Sequence, residues 1–342
     1  MSTRSLKKRT IIDGAVVEKE FMDKYGVNPG DAMLAEERHK PLYEELVKKY
    51  NCEYIAGGAA QNSIRVAQWM LQVPGATTYI GSVGNNDHFA KQMQNSVDSA
   101  GVKAHYMIDE QTPTGVCAVL VHKGERALVT RLDAANNYKD DHLAKPDTWK
   151  FVQQARFVYI EGYFLTVSPA AIMRLAKHCT AENKTFMMNV SAPFLVQVPD
   201  FLNAFKEAMP YVDVLFGNET EAMEFAKAFE LNASTVQEAA LKASKLQKQS
   251  GAQCRTVVFT QGKDATVIAH NGKVYEFPVI PLPDEKVVDT NGAGDAFVGG
   301  FLSQFITGKS LHECCRAGNH AAHTIIQHSG CKFPDTPSFI WA

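Results

Sequence analysis

The segment from Asp289 to Asp295, which reads Asp-Thr-Asn-Gly-Ala-Gly-Asp, combines glycines and a carboxylate in a pattern that suits chemistry on a phosphate. Gly292 and Gly294 let backbone N–H groups approach a ligand closely, and the helix predicted to follow adds the unsatisfied N–H groups and the positive dipole end of its first turn. Together these features predict an anion cradle. Asp295 stands beside the cradle, where a carboxylate suits a general base that takes the proton of an alcohol during phosphoryl transfer.

The same segment has a simpler interpretation. A Gly-x-Gly-Asp run at the start of a helix also occurs as a tight turn with an aspartate cap, and the segment alone does not decide between the two. It is not a Walker motif, because no Gly-Lys-Ser/Thr follows the glycines, and it lacks the glycine spacing of dinucleotide-binding turns.

The composition excludes several classes of protein. The 342 residues are 45% hydrophobic and 21% charged, which suits one large core or a core with a smaller appendage. A formal net charge of -2 argues against a nucleic-acid partner. The seven cysteines form no Cys-x-x-Cys pair, so we expect reduced thiols, with neither a disulfide framework nor a zinc site.

The hydrophobic residues also predict where the protein resides. No stretch approaches the length of a membrane span, and the first residues lack the apolar segment of a secretory signal, so we expect no membrane contact and a cytoplasmic location. The cluster Lys7-Lys8-Arg9 is a candidate for a weak nuclear signal, although a charged tail in solvent is its commoner meaning.

Short β-rich runs alternate with helical stretches from about residue 61 onward, which is typical of strands joined by crossover helices. Most of the runs are nearly continuously apolar, as expected for a mostly parallel sheet covered on both faces, so the predicted class is α/β. Two β runs around Asn271-Gly272 predict a hairpin. The predicted strands are 77–83, 157–160, 185–190, 212–216 and 256–260, and the predicted helices are 61–73, 87–100, 168–183, 219–228 and 235–250.

Two regions, 13–58 and 114–133, contain β-prone pieces without the crossover rhythm. The pieces are 15–17, 53–55, 115–122 and 126–130. We expect them to pair as a small antiparallel sheet outside the main one, forming an insertion on one domain and not an independent unit.

Two longer runs resemble the motifs of a known family. The run Asp289-Thr-Asn-Gly-Ala-Gly-Asp-Ala-Phe-Val-Gly-Gly-Phe301 resembles the C-terminal signature of the ribokinase-like (pfkB) carbohydrate and nucleoside kinases, and Ala56-Gly-Gly-Ala-Ala-Gln-Asn-Ser63 resembles their Gly-Gly motif. Further runs, at 62–70, 164–169, 189–194, 210–222 and 259–262, are similar to the branch of this family that phosphorylates adenosine. The resemblance extends from about Ala15 to Pro334.

The resemblance implies a fold and a reaction. The fold is a ribokinase-like three-layer αβα domain with a mostly parallel central sheet and a small β-sheet lid. The large domain would comprise 1–12, 61–112 and 134–342, and the lid 13–60 and 113–133. The reaction is ATP-dependent phosphorylation of the adenosine 5′-hydroxyl to AMP, as in purine salvage, with Mg²⁺ accompanying ATP. We expect a monomer whose partners are adenosine and ATP.

The matching motifs also carry the family's residue roles to this chain. Asp295 corresponds to the base, and Arg126 to the lid arginine that meets the transferred phosphate. Glu221, together with Asn218, corresponds to the side chains near Mg²⁺, with Glu221 reaching the metal through water. The remaining positions are the anion hole (Gly292, Ala293, Gly294), the turn beside ATP (Thr260, Gln261, Gly262) and the nucleoside site (Asp13, Gly57, Gly58, Asn62, Leu128, Phe164, Asn291), in which Leu128 and Phe164 would sandwich the adenine.

Taken without the resemblance, these residues have ordinary structural meanings. Asn218 and Glu221 read as a helix cap and its first-turn glutamate, Leu128 and Phe164 as core, and Arg126 as a surface charge. The sequence also departs from the family before Asp13, where the Gly-Asn-Pro element of the first strand is absent. Two alternative functions therefore stay open: a kinase of the same fold for another nucleoside or sugar, and a non-catalytic adenosine-binding relative.

Overall fold

Strands and helices alternate along most of the computed structural model, which describes residues 12–52, 54–122, 125–249 and 254–340. The strands of the described residues are β1 (Ile12–Val16), β2 (Ala32–Leu34), β3 (Thr78–Gly84), β4 (Lys103–Asp109), β5 (Val116–His122), β6 (Glu125–Arg131), β7 (Phe157–Glu161), β8 (Thr185–Asn189), β9 (Val214–Asn218), β10 (Thr256–Gln261), β11 (Asp264–His270) and β12 (Lys273–Phe277). The helices are α1 (Lys19–Tyr25), α2 (Lys40–Lys49), α3 (Ala59–Leu71), α4 (His88–Ser99), α5 (Asp140–Ala144), α6 (Pro146–Gln154), α7 (Pro169–Ala181), α8 (Phe194–Gln197), α9 (Pro199–Ala208), α10 (Glu219–Ala228), α11 (Val236–Ser244), α12 (Ala293–Phe305) and α13 (Leu311–Ile325).

The main sheet has six strands in the order β12-β11-β10-β9-β8-β7. Strands β7 to β10 are mutually parallel, and β11 and β12 complete the sheet as an antiparallel hairpin. The hairpin turn is Asn271-Gly272, and both residues have positive φ, as a two-residue type I′ turn requires. The predicted hairpin and the mostly parallel sheet are therefore confirmed.

Both faces of this sheet are buried beneath helices. Along β8, Phe186 and Met188 pack with residues of α7, α9, α10 and α11, while Met187 packs with residues of α3, α12 and α13. Because side chains alternate across a strand, a continuously apolar strand supplies two cores at once. The result is the predicted three-layer αβα arrangement.

A second sheet combines the two regions that the sequence set apart, with strand order β1-β5-β6-β2. The prediction of an antiparallel sheet is wrong, because only β5 and β6 are antiparallel, while β1 pairs with β5 and β2 with β6 in parallel. The β-prone piece 53–55 is not a strand at its described residues, 54 and 55. Two helices that the sequence analysis missed, α1 and α2, cover this sheet through Phe21, Met22, Leu42 and Leu46.

The division into a large domain and a lid stays a prediction. Residues 1–11, and with them the Lys7-Lys8-Arg9 cluster, lie outside the described residues. The predicted strand at 77–83 is β3, which pairs in parallel with β4 as a separate two-stranded sheet. Among the helices that the structure describes, none combines the length and apolar character needed to cross a membrane.

Candidate active site

Two helices with glycine caps meet at Asp295. Helix α12 follows Gly292, whose φ is 78°, and α3 follows Gly58, whose φ is 98°. Neither cap has a side chain that could satisfy the N–H groups of the first turn, and both backbones adopt the left-handed side of φ that glycine tolerates. The Asn62 amide in the first turn of α3 donates a hydrogen bond of 3.0 Å from Nδ2 to Oδ2 of Asp295. The positive ends of two helix dipoles therefore converge on one carboxylate.

The backbone in front of Asp295 is the predicted anion cradle. Gly294 is exposed, and a Cβ added to it would meet no atom within 4 Å. The N–H of Ala293 donates to the carbonyl of Thr290 at 3.1 Å, whereas the N–H groups of Gly294 and Asp295 belong to the first helical turn, which lacks intrahelical partners. Asn291, beside the cradle, is exposed and donates its backbone N–H to Oδ1 of Asp289 at 2.9 Å.

Three carboxylates act on one another in this site. Glu161 ends β7, Glu221 lies in the first turn of α10, and each is 6% exposed, while Asp295 is half-buried. Burial, followed by the charges of Glu161 and Glu221, raises the pKa of Asp295 well above its ordinary value, and the hydrogen bond from Asn62 opposes the shift. Burial also raises the pKa of Glu161, and it raises the pKa of Glu221 to about 7. A carboxyl group with a raised pKa is a better proton acceptor once ionised.

Asn218 and Glu221 form a reciprocal cap at the start of α10. The Asn218 side chain accepts from the N–H of Glu221 at 2.8 Å, and the Glu221 carboxylate accepts from the backbone N–H of Asn218 at 3.0 Å and from its amide at 2.8 Å. Asn218 also ends β9 directly beside Thr260 of β10. Asn218 and Glu221 therefore form a helix cap. The cap also places their amide and carboxylate oxygens at the carboxyl ends of parallel strands, where ligands bind in open α/β sheets.

The turn predicted to lie beside ATP follows the end of β10. Thr260 donates weakly to the carbonyl of Gly217 at 3.5 Å, and Gln261 donates from Nε2 to the carbonyl of Ala265 at 2.6 Å. Gly262 turns the chain with φ 56° and has open space around its α-carbon. The Gln261 amide therefore stabilises the turn, and Gly262 leaves its outer side open.

Arg126 connects the β1-β5-β6-β2 sheet to the loop before α12. Its Nη1 lies 3.1 Å from Oδ2 of Asp289, and its Nη2 donates to Oγ of Ser329 at 3.1 Å. Ala127 and Val129, on either side of Leu128, are buried in the core of that sheet. Since side chains alternate along a strand, Arg126 and Leu128 share the opposite face, which the contact with Asp289 directs toward the cradle.

The aromatic residues after β7 divide between site and core. Phe164 packs against the main core, with its ring centroid 5.3 Å from that of Tyr138. Tyr163 is 46% exposed, and the negative charges of Glu221, Glu161 and Asp295, after burial, help to raise its pKa to about 12. Phe194 is also exposed, and the centroid of its ring lies 6.3 Å from the centroid of the Tyr163 ring. Tyr163 and Phe194 are further candidates for the nucleoside site, and no motif in the sequence marks them.

Of the other predicted nucleoside contacts, Gly57 and Gly58 precede α3 as expected, and Gly58 accepts the N–H of Asn62 through its carbonyl at 2.8 Å. Asp13 has its backbone in β1, and its side chain lies outside what the structure describes. The structure thus brings together the turn at Gly292–Gly294, Asp295, Asn62 and the face of the β1-β5-β6-β2 sheet that carries Arg126. The placement of the Asp13 carboxylate stays a prediction.

Known proteins resemble this chain over nearly its whole length. The pattern of the pfkB family carbohydrate kinases matches residues 21–338. Adenosine kinase 1 of Arabidopsis thaliana is 53% identical over 325 residues, which cover 95% of this chain and 94% of that protein. The crystal structure of Anopheles gambiae adenosine kinase in complex with P1,P4-di(adenosine-5) tetraphosphate is 45% identical, with a TM-score of 0.88 over 96% of each chain. Schistosoma mansoni adenosine kinase in complex with 2-fluoroadenosine is 32% identical, with a TM-score of 0.85 over 94% of each chain. The chain therefore belongs to the pfkB family of carbohydrate kinases and, within it, to the adenosine kinases.

Proposed function

We propose that this protein transfers the terminal phosphoryl group of ATP to the 5′-hydroxyl of adenosine, yielding AMP and ADP. The observation that carries the proposal is the position of Asp295, half-buried at the start of α12, beside the open cradle at Gly294 and joined to Asn62 at 3.0 Å. A base and a set of anion-binding N–H groups lie side by side there, as in-line transfer to an alcohol requires.

The proposed reaction assigns one task to each group. Asp295 accepts the proton of the 5′-hydroxyl while the oxygen attacks the terminal phosphorus, and the bond from that phosphorus to the bridging oxygen of ADP breaks. The N–H groups of Gly294 and Asp295, with Gly292 and Ala293 shaping the turn, stabilise charge on the transferred group. Arg126 turns from Asp289 to the same phosphate, where its planar guanidinium spans two oxygens.

ATP is proposed to bind at the carboxyl ends of β9 and β10. Thr260, Gln261 and Gly262 would line its phosphates through backbone and short polar groups. Glu221 and Asn218 fit Mg²⁺ held through water, because their oxygens are hard ligands. Burial raises the pKa of Glu221, so a nearby cation would stabilise its ionised form. When bound, Mg²⁺ would neutralise charge on the phosphates of ATP.

Adenosine is proposed to lie between α3, the lid face and the residues after β7. Gly57, Gly58, Asn62 and Asp13 would contact the ribose, with Asn291 near the 5′ end, and Leu128 with Tyr163 or Phe164 would cover the adenine. The Anopheles gambiae relative binds a ligand with adenosine at both ends of a phosphate chain, which supports neighbouring sites for acceptor and donor in this fold. We also propose that the protein is a monomer and that it is located in the cytoplasm or the nucleus.

The substitution Asp295→Asn tests the base. It keeps the size of the side chain and removes the proton acceptor, so we expect kcat to fall by about 10³-fold while calorimetry still detects adenosine binding. Asp141→Asn, which changes an exposed aspartate of α5, serves as the matched control and should leave turnover unchanged. Wild-type turnover by the Asp295→Asn protein would overturn the assignment.

A further inference from the structure

Glu161 is a buried carboxylate that none of the roles above uses. It ends β7, is 6% exposed, and pairs in register with Asn189 of β8. A buried charge is costly unless its surroundings supply hydrogen bonds, so the groups around Glu161 indicate whether its charge is maintained.

The hydroxyl groups around Glu161 are arranged to donate to it. Ser191 accepts the backbone N–H of Gly162 at 2.8 Å and donates from Oγ to one oxygen of Glu161 at 2.5 Å. Tyr159 accepts the amide of Asn189 at 3.3 Å and donates its hydroxyl to the other oxygen at 2.5 Å. Each hydroxyl oxygen accepts one N–H and keeps its own hydrogen for donation, and the Glu161 carboxylate is the nearer acceptor, since Oγ of Ser191 lies 3.4 Å from the carbonyl of Asn189. Both oxygens of Glu161 therefore act as acceptors, and these hydrogen bonds favour its ionised form against the effect of burial, which raises its pKa.

Glu161 is linked to Asp295 through the first turn of α3. Ser63, which is fully buried, lies within hydrogen-bond reach of Glu161, while its hydroxyl donates to the carbonyl of Ala59 at 3.1 Å. The preceding residue, Asn62, donates to Asp295 at 3.0 Å. The titratable groups that act on Asp295 come from several elements. They are Glu161 and Tyr159 on β7, Glu221 on α10, Tyr163 after β7 and Cys331 after α13, and among the charged ones Glu161 acts most strongly.

The surroundings of Asp295 explain why a negative charge on Glu161 would matter. Two helix N-termini and the amide of Asn62 stabilise the Asp295 anion, and alone they would make it a weak proton acceptor. A fixed negative charge nearby opposes them. We propose that Glu161 is a positioning residue, held in place by Tyr159 and Ser191, whose charge keeps Asp295 able to accept the proton of the substrate hydroxyl. This inference rests on the proposed function, with Asp295 as the base.

The substitution Glu161→Gln tests the inference through the pH dependence of kcat/KM for adenosine at saturating MgATP. Removing a like charge lowers the pKa of Asp295, so the acidic limb of the profile should move to lower pH by about one unit. The plateau above the limb should fall, because a less basic Asp295 is a weaker acceptor. Tyr159→Phe, which removes one donor to Glu161 and favours its neutral form, should move the limb in the same direction by less.

The control is Glu276→Gln, which removes the same charge from the exposed β12 at the far edge of the same sheet, five strands or roughly 24 Å from β7. Its profile should match that of the wild type. A lowered plateau with an unmoved acidic limb in Glu161→Gln would show a merely structural role and overturn the inference. If Glu161→Gln does not fold, an unmoved limb in Tyr159→Phe overturns it equally. Failure of the proposed function would show differently, as turnover by Asp295→Asn.

Discussion

Arg126 is held by Asp289, six residues before the proposed base, so its guanidinium already lies at the loop that leads into α12. Its side chain is 18% exposed, and Asp289 also accepts the N–H groups of Asn291 and Gly330. The carboxylate thus organises the loop and holds the arginine at once. During the reaction the phosphate would replace Asp289 as the partner of Arg126.

The substitution Arg126→Lys separates charge from shape. Lysine keeps the positive charge and loses the planar fork, so we expect kcat to fall about tenfold or more, with little change in KM for adenosine. Steady-state kinetics provides the measurement. Arg131→Lys on the same strand is the control, because Arg131 pairs with Asp133 and lies over the Tyr43 ring. Equal kinetics for the two variants would exclude a role for Arg126 at the phosphate.

Single residues also show what the sequence could not reveal. Phe164 and Tyr163 are neighbours in the 3₁₀ helix Gly162–Thr166, where successive side chains point about 120° apart, and only the folded chain shows that Phe164 faces the core. Glu161 reads in sequence as the polar end of a strand. Its proposed role depends on the hydrogen bond from Ser191, which is distant in the chain.

At the scale of one element, two glycines of α12, Gly294 and Gly300, have different surroundings. Gly294 has open space around its α-carbon, whereas a Cβ on Gly300 would overlap the carbonyl oxygen of Ala317 on α13. The first glycine therefore serves the cradle, and the second allows α12 and α13 to pack closely.

The pair Gly294→Ala and Gly300→Ala tests this division. Alanine at Gly294 fits the helix without a clash, so the free energy of unfolding should stay equal or rise by about 0.5 kcal/mol, while the new methyl group enters the cradle and lowers kcat at least tenfold. Gly300→Ala should instead destabilise the protein by about 1–3 kcal/mol. Urea denaturation and steady-state kinetics measure both effects. An active Gly294→Ala protein would argue against phosphate binding at this turn.

Elements were predictable where one local pattern determined them. Strand β8 was found because an unbroken apolar run requires cover on both faces, and the hairpin because Asn271-Gly272 accepts positive φ twice. The parallel pairs of the second sheet were missed because β1 and β2 are short and lie far from β5 and β6 in sequence. The parallel pairing of Ala32–Leu34 with β6 depends on three residues and leaves no periodic signal.

At the scale of the whole molecule, the β1-β5-β6-β2 sheet has a hydrophobic core of its own, distinct from the clusters on the main sheet. Arg126 is one of its contacts with the loop before α12, and Phe89 of α4 packs against its core. A sheet with a separate core can move as a unit on a few connections. The β1-β5-β6-β2 sheet would act as the proposed lid only if it moves in this way relative to the large domain.

Hydrogen exchange with adenosine and a non-hydrolysable ATP analogue tests lid closure. The first turns of α3 and α12 carry N–H groups without intrahelical partners, so exchange should slow at residues 59–61 and 294–295 when ligands bind them. Strand β2 has one neighbouring strand and an exposed Leu34, so it should also gain protection if the lid closes over the nucleoside. Strand β8, buried between two layers, is the internal control and should not change. Protection at the two helix starts with unchanged exchange in β2 would mean that substrates bind without closure, and that Arg126 reaches the phosphate from a stationary sheet.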